Sequence, residues 1–284
     1  MTLGSVLRTG AVLLSIALVS LGCSSGNNEK KSESSASSTA SSDFEVFESA
    51  LDSAGWVEES EFDWSAVSSS GSQTPEVQAA LPLMSSWVEA SVFSDEANNA
   101  TSTRGLVDGL QKVVGSSEFD RFSAEYDGDR DDGLENAAAY GLVISPNVEL
   151  STEARVAVST DVDQAEDGSS DAVIEMTARA AIPMTKGSIS RWGVYVYNLK
   201  FTVPKGYESG GDQGNGISVA TMSPGLLTCD WENTFSADVA DDGLYVPSFV
   251  RKAIEFAGPR ENFSYAELKK GLGEPPDLSK VCDS

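Results

Sequence analysis

Residues 172–183 read AVIEMTARAAIP and residues 189–203 read ISRWGVYVYNLKFTV. In the first stretch Ala172, Ile174, Met176, Ala178, Ala180 and Ile182 alternate with Glu175, Thr177 and Arg179. An apolar period of two places the first set on one face of a strand and predicts a wet second face. The second stretch is rich in Val, Tyr, Trp and Phe, with apolar residues at both parities around Val194–Tyr197, which predicts a central strand covered on both faces. Alternation sets Trp192 on the face opposite Tyr195 and Tyr197. Between the two stretches, TKGS (185–188) offers a short glycine-containing hairpin turn.

Outward from this pair, ARVAVSTDV (154–162) alternates in the same way, and GISVATM (216–222) supplies a fourth strand after a Gly-rich loop. The flanks have helical spacing. In SDFEVFESALDSAG (42–55), Ser42 and Glu45 stand at capping-box distance, Phe44, Phe47, Leu51 and Ala54 share a face, and Gly55 can stop the helix. SEFDWSAVSSSGSQ (60–73) reads as a loop. In TPEVQAALPLMSSWVEASVF (74–93), Thr74 is an N-cap and Pro75 the first helical residue. Val77, Leu81, Met84, Val88 and Val92 form its stripe, with a kink expected at Pro82. RGLVDGLQKVV (104–114) aligns Leu106, Leu110 and Val113, SEFDRFSAEY (117–126) aligns Phe119, Phe122 and Tyr126, and GLENAAAYGL (133–142) is one more short helix. PSFVRKAIEFAG (247–258), with Phe249, Ala253 and Ile254 on one face, and SYAEL (264–268), with a capping box from Ser264 to Glu267, close the chain in helix.

Helices, hairpin-linked strands, then helices define an α+β class with an antiparallel four-stranded meander. A curved meander over N-terminal helices resembles, in element order, the cone-shaped fold of the nuclear transport factor superfamily. The resemblance carries no motif and implies no functional residue. Residues 43–284 form the folded body, with 43–72 either an appendage or part of it.

The chain has 284 residues, 40% of them hydrophobic, and a formal net charge of −25. That apolar fraction supports a core. The charge repels phosphate backbones and anionic lipid, so nucleic acid is excluded as a partner and any membrane attachment needs something other than a basic patch. There is no histidine, which removes Ser-His-Asp triads, Cys-His dyads, His-ligated zinc and HExxH sites.

Residues 1–22 read MTLGSVLRTGAVLLSIALVSLG, and Cys23 follows. The apolar run Ala11–Leu21 is too short to span a bilayer, which takes about 20 residues, and fits the h-region of a signal peptide. With Gly22 before Cys23 the stretch resembles a bacterial lipobox, although Ser20 departs from the usual leucine. The resemblance implies cleavage before Cys23, a diacylglycerol thioether on its sulfur, and a protein held on the extracytoplasmic face of the cell membrane. An ordinary secretory signal and an uncleaved signal anchor are the alternatives. Residues 24–42, SSGNNEKKSESSASSTASS, contain no large apolar side chain and read as a tether reaching about 25 Å, which favours the lipoprotein. Outside the cytoplasm the two remaining cysteines, Cys229 and Cys282, are expected to pair, worth about 4 kcal/mol by chain entropy. Two buried reduced thiols are the alternative.

YDGDRDDGLE (126–135) places Asp127, Asp129 and Asp131 at the 1, 3, 5 spacing of a calcium loop. Asp132 stands where an EF-hand needs glycine, and Ala138 where it needs glutamate, so a solvated acidic turn is the competing reading. DVDQAEDGSSD (161–171) reads as a charged hairpin loop. Trp56, Phe62 and Trp64 cluster in sequence, as do Trp192, Tyr195 and Tyr197, and each set is core unless exposed for stacking. The leading expectation is a lipid-anchored binding or interaction module without catalysis, resembling in style the surface lipoproteins of Gram-positive cells. A wall-active hydrolase with paired carboxylates and a purely adhesive protein are the alternatives.

Overall fold

The computed structural model describes residues 36–67, 74–114, 141–144, 148–164, 171–208, 217–224, 245–256 and 265–273. The fold is mixed helix and sheet around one open, antiparallel, six-stranded sheet. Helix α1 is Ala36–Ser53, α2 Pro75–Phe93, α3 Asp95–Asn98, α4 Thr103–Val114, α5 Pro247–Phe256 and α6 Tyr265–Leu272. The strands are β1 Val57–Glu58, β2 Glu149–Leu150, β3 Arg155–Gln164, β4 Ala172–Lys186, β5 Ile189–Val203 and β6 Ile217–Met222.

The sheet runs β1-β3-β4-β5-β6, and β2 pairs with β4 beyond the end of β3. The four expected strands are β3 to β6, and the sheet exceeds them by two two-residue pieces, too short to leave a periodic signal. The β4–β5 ladder is continuous from Ala172↔Val203 to Lys186↔Ile189. The two-residue turn closing it uses Gly187 at φ +62°, open to glycine at no steric cost.

Both faces of the central hairpin are buried. On one, Ile174, Met176, Ala178, Ala180, Ile182 and Met184 of β4, with Tyr195, Tyr197, Leu199 and Phe201 of β5, pack into the cluster that holds Val77, Leu81, Met84, Trp87 and Val88 of α2 and Leu106, Val107 and Leu110 of α4. On the other, Ala181, Trp192, Val194 and Val196 meet Phe47 and Leu51 of α1, Val250, Ala253 and Ile254 of α5, and Leu268 and Leu272 of α6. The meander therefore does not fold over all the N-terminal helices, because α1 joins the C-terminal helices on the opposite face. With Leu51 fully buried, α1 is part of the body rather than an appendage. Its backbone starts at Ala36, N-terminal to the expected cap at Ser42 and within the stretch read as tether. Val113 on α4 is 49% exposed, and Val107 takes its place in the core.

The expected wet face of β4 is also covered. Thr177 and Arg179 are each 1% exposed. Burial there is made tolerable by polar pairing. Asn198 Nδ2 donates to Thr177 Oγ1 at 2.8 Å and to Glu175 Oε1 at 3.0 Å, and Glu175 also accepts from the first backbone N–H of α6, at Tyr265. The Arg179 guanidinium lies 5.5 Å from the Trp56 ring centre, and burial pushes its pKa down to about 9.

Local signals read from sequence hold at several termini. Thr74 Oγ1 accepts from Val77 N at 3.4 Å and caps α2 behind Pro75. Helix α1 ends as expected at Gly55 (φ +75°), where Trp56 N donates to Leu51 O and Gly55 N to Asp52 O, a Schellman closure. Ser264 of the second expected capping box, and the helices expected at 117–126 and over most of 133–142, lie outside the described residues.

Candidate functional site

The Schellman turn launches residues 56–67 as a strap around one sheet edge. Trp56 stays on the α1 side, 3% exposed, its indole N–H directed to Ile254 O at 3.4 Å. The strap then pairs as β1 with β3, fastened by Glu59 N to Ala154 O at 3.0 Å and Ser60 N to Glu153 Oε1 at 2.7 Å. Arg155 bridges Glu58 at 3.4 Å and Asp52 at 3.6 Å. Past the edge, Phe62 and Trp64 turn in on the α2 side, edge to face at 4.8 Å, with Phe93 5.8 Å from Trp64. The sequence cluster Trp56, Phe62 and Trp64 is thus divided between the two faces of the sheet. Trp192, Tyr195 and Tyr197 are all core, on opposite faces as alternation requires.

A single 3-10 turn, Trp64–Ala66, holds the strap against α2. Asp63 caps it, accepting from Ser65 N at 3.0 Å and Ser65 Oγ at 2.6 Å. The Ser65 hydroxyl, with backbone N–H groups, holds the Asp63 carboxyl below the usual range. Opposite stand Gln78, Leu81, Pro82, Ser85, Ser86 and Glu89, spaced along one face of α2. Between turn and helix lies a groove of about 480 Å³, completed by Trp64, Ser65, Ala66 and Val67. Pro82 has no N–H, so the Gln78 carbonyl on this face receives no i+4 helical bond. The Trp64 Nε1–H is buried without an acceptor among the described residues, a cost of about 1–3 kcal/mol accepted in docking the strap.

Two carboxylates of this region are shifted in the same direction. Burial raises the Glu89 carboxyl above its usual pKa. Burial also raises Glu59, and the charges of Glu89 and Glu153 push it further in the same direction. Among the described residues the groove wall contains no Lys or Arg. Among the described residues neither Glu59 nor Glu89 has an ion-pair partner.

No family model matches this chain, and no curated protein and no solved structure compared with it matches.

A second cavity, of about 440 Å³, opens at the sheet end near Glu76, Asp163, Asp171 and Lys205. Two of its three acids are already engaged: Asp171 accepts from Lys205 N at 3.1 Å, and Glu76 from Gly206 N at 3.0 Å. Among the described residues no three Asp, Glu or Cys side chains converge to hold a metal, and no helix is long and apolar enough to cross a membrane. Cys23, Cys229, Cys282 and the calcium candidates Asp127, Asp129 and Asp131 lie outside the described residues.

Of the sequence candidates among the described residues, only Trp64 reaches the groove. Glu59 and Glu89 escaped notice because 44 acids make any pair unremarkable by sequence. The available signal was on α2, where Gln78, Ser85, Ser86 and Glu89 interrupt an otherwise apolar helix beside Pro82.

Proposed function

We propose that this chain is a lipid-anchored extracytoplasmic binding protein, with the groove between the strap and α2 as its ligand site. One observation carries the site: a partly buried carboxylate, Glu89, faces a groove whose described lining residues include no cation to neutralise it. A concave surface mixing apolar walls with a few polar groups suits recognition. Cleavage by paired acids would need both carboxylates to flank the substrate. Glu89 lines the groove and Glu59 does not, so the geometry favours binding over hydrolysis.

The anchoring rests on the sequence preceding the body: an h-region, Gly22, Cys23 and a Ser-rich segment. In this reading Cys23 carries the diacylglycerol, and Cys229 pairs with Cys282 outside the cytoplasm. Calcium at Asp127, Asp129 and Asp131, and the likeness to the cone-shaped fold, form no part of it. Replacing Cys23 with Ser should move the protein from the membrane fraction to the soluble fraction, and the wild-type chain should have a mass lacking residues 1–22 and bearing lipid. Equal membrane retention of both proteins defeats the anchoring. For the groove, a mixture of small polar compounds should shift the Trp64 indole resonance, identified by its loss in Trp64→Phe. Shifts confined to other surfaces defeat the site.

A further inference from the structure

The walls of the groove select the charge of what enters it. Among the described residues, the only ionisable group lining it is Glu89. Glu59 lies within reach of the Glu89 charge, and of that of Glu153, both of which oppose its ionisation. The chain as a whole carries 44 acids against 19 bases. Such a field excludes anions from the groove and concentrates cations in it. A partly buried charge without a counter-ion is a poor arrangement for stability, and a cation arriving from solution relieves it.

The kind of cation follows from the remaining atoms. Calcium seeks six to eight oxygens, and the groove offers a single carboxylate, with no metal-holding cluster among the described residues. A sugar held by stacking needs an open aromatic face, but Trp64 is 8% exposed. An ammonium group has three N–H donors. Around Glu89 it meets acceptors in the hydroxyls of Ser85 and Ser86 and in the Gln78 carbonyl left without a helical donor by Pro82. Leu81 and Val67 provide apolar surface for a methylene stem.

Resting on the groove as the ligand site, we infer that it binds a protonated primary amine carried on an aliphatic chain, with Glu89 as the counter-ion. A lysyl side chain and a free polyamine both present this chemistry.

The test uses the full chain carrying Cys23→Ser, ¹⁵N-labelled, in about 0.15 M salt so that distant surface charges are screened. Four probes are titrated: 1,5-diaminopentane, Nα-acetyl-lysine methylamide, its neutral norleucine counterpart, and calcium chloride. The two amines should shift the Trp64 indole and Glu89 amide signals saturably, and the norleucine compound should not. Response to the lysine compound alone identifies a lysyl side chain, and response to the diamine alone a free polyamine. Glu89→Gln should weaken amine binding by about tenfold or more. Glu59→Gln, which leaves the groove wall intact, should weaken it less, and Glu45→Gln at an exposed position of α1 should leave it unchanged.

Calcium shifting the same signals as effectively as the amines, or equal losses in all three variants, would mean general attraction to an acidic protein and overturn the inference. Shifts by the norleucine compound without shifts by the amines overturn the amine and keep the groove. Silence of the groove signals to every probe here and to the polar mixture removes both.

Discussion

The Trp87 indole N–H on α2 donates to the Tyr197 hydroxyl on β5 at 2.9 Å, inside the larger core. Both residues are almost fully buried, so α2 is fixed to the sheet by a polar contact as well as by apolar packing. That contact lies in the helix whose other flank forms the groove wall. Its position therefore bears on the geometry of Ser85, Ser86 and Glu89.

Tyr197→Phe keeps the ring and removes the acceptor. The loss should be about 1–2 kcal/mol, dominated by the buried N–H deprived of this bond. Urea unfolding should show a lower midpoint with an unchanged slope. An unchanged midpoint would mean that the bond adds nothing to holding α2.

A second anchor for α2 is steric. At Gly141 an added Cβ would lie 2.2 Å from the Ser91 carbonyl oxygen and 3.0 Å from its carbon. Leu142 N donates to that same oxygen at 2.8 Å, and Asn98 Nδ2 ties Leu142 O to Val92 O. Gly141→Ala must push backbone from backbone, which no rotamer change relieves. It should cost about 3 kcal/mol, at the upper end of what overpacking does. The check is calorimetric: a melting temperature equal to wild type would show that segment 141–144 yields freely.

The hairpin at the centre of the sheet was legible because its signals are local. Alternation, β-branched and aromatic residues, and a glycine at the turn all occur within neighbouring residues, and the ladder from Ala172 to Val203 follows them. The state of the second face of β4 was not legible. Alternating Glu175, Thr177 and Arg179 read as wet because period says which residues share a face, not what covers it. The cover comes from α1, α5 and α6, distant in sequence; Thr177 and Glu175 pair with Asn198, Glu175 also with the backbone of α6, and Arg179 lies over the Trp56 ring. The groove was hidden for the same reason: Trp64 and Glu89 belong to segments with separate local signals, and only the wrap of the strap around β3 brings them together.

Glu89 gives a prediction with a defined pH sign. Burial raises its folded-state pKa above the ordinary 4.5. Between that value and the raised one, the folded protein holds more protons than the unfolded chain, so stability falls as pH rises through the window. The ionised carboxylate is thus a burden at neutral pH and none in acid. Glu89→Gln removes the burden and should raise the unfolding midpoint at about pH 7, with the gain over wild type shrinking towards zero by about pH 4. Glu59→Gln should act in the same direction, since burial and then the Glu89 charge raise its carboxyl too. Because each carboxylate contributes to the other's penalty, the double variant should gain less than the two single gains added. Midpoints measured at both pH values decide the matter: a loss of stability in Glu89→Gln at neutral pH would mean that the carboxylate is satisfied where it stands, and would remove the unneutralised charge on which the proposed ligand site depends.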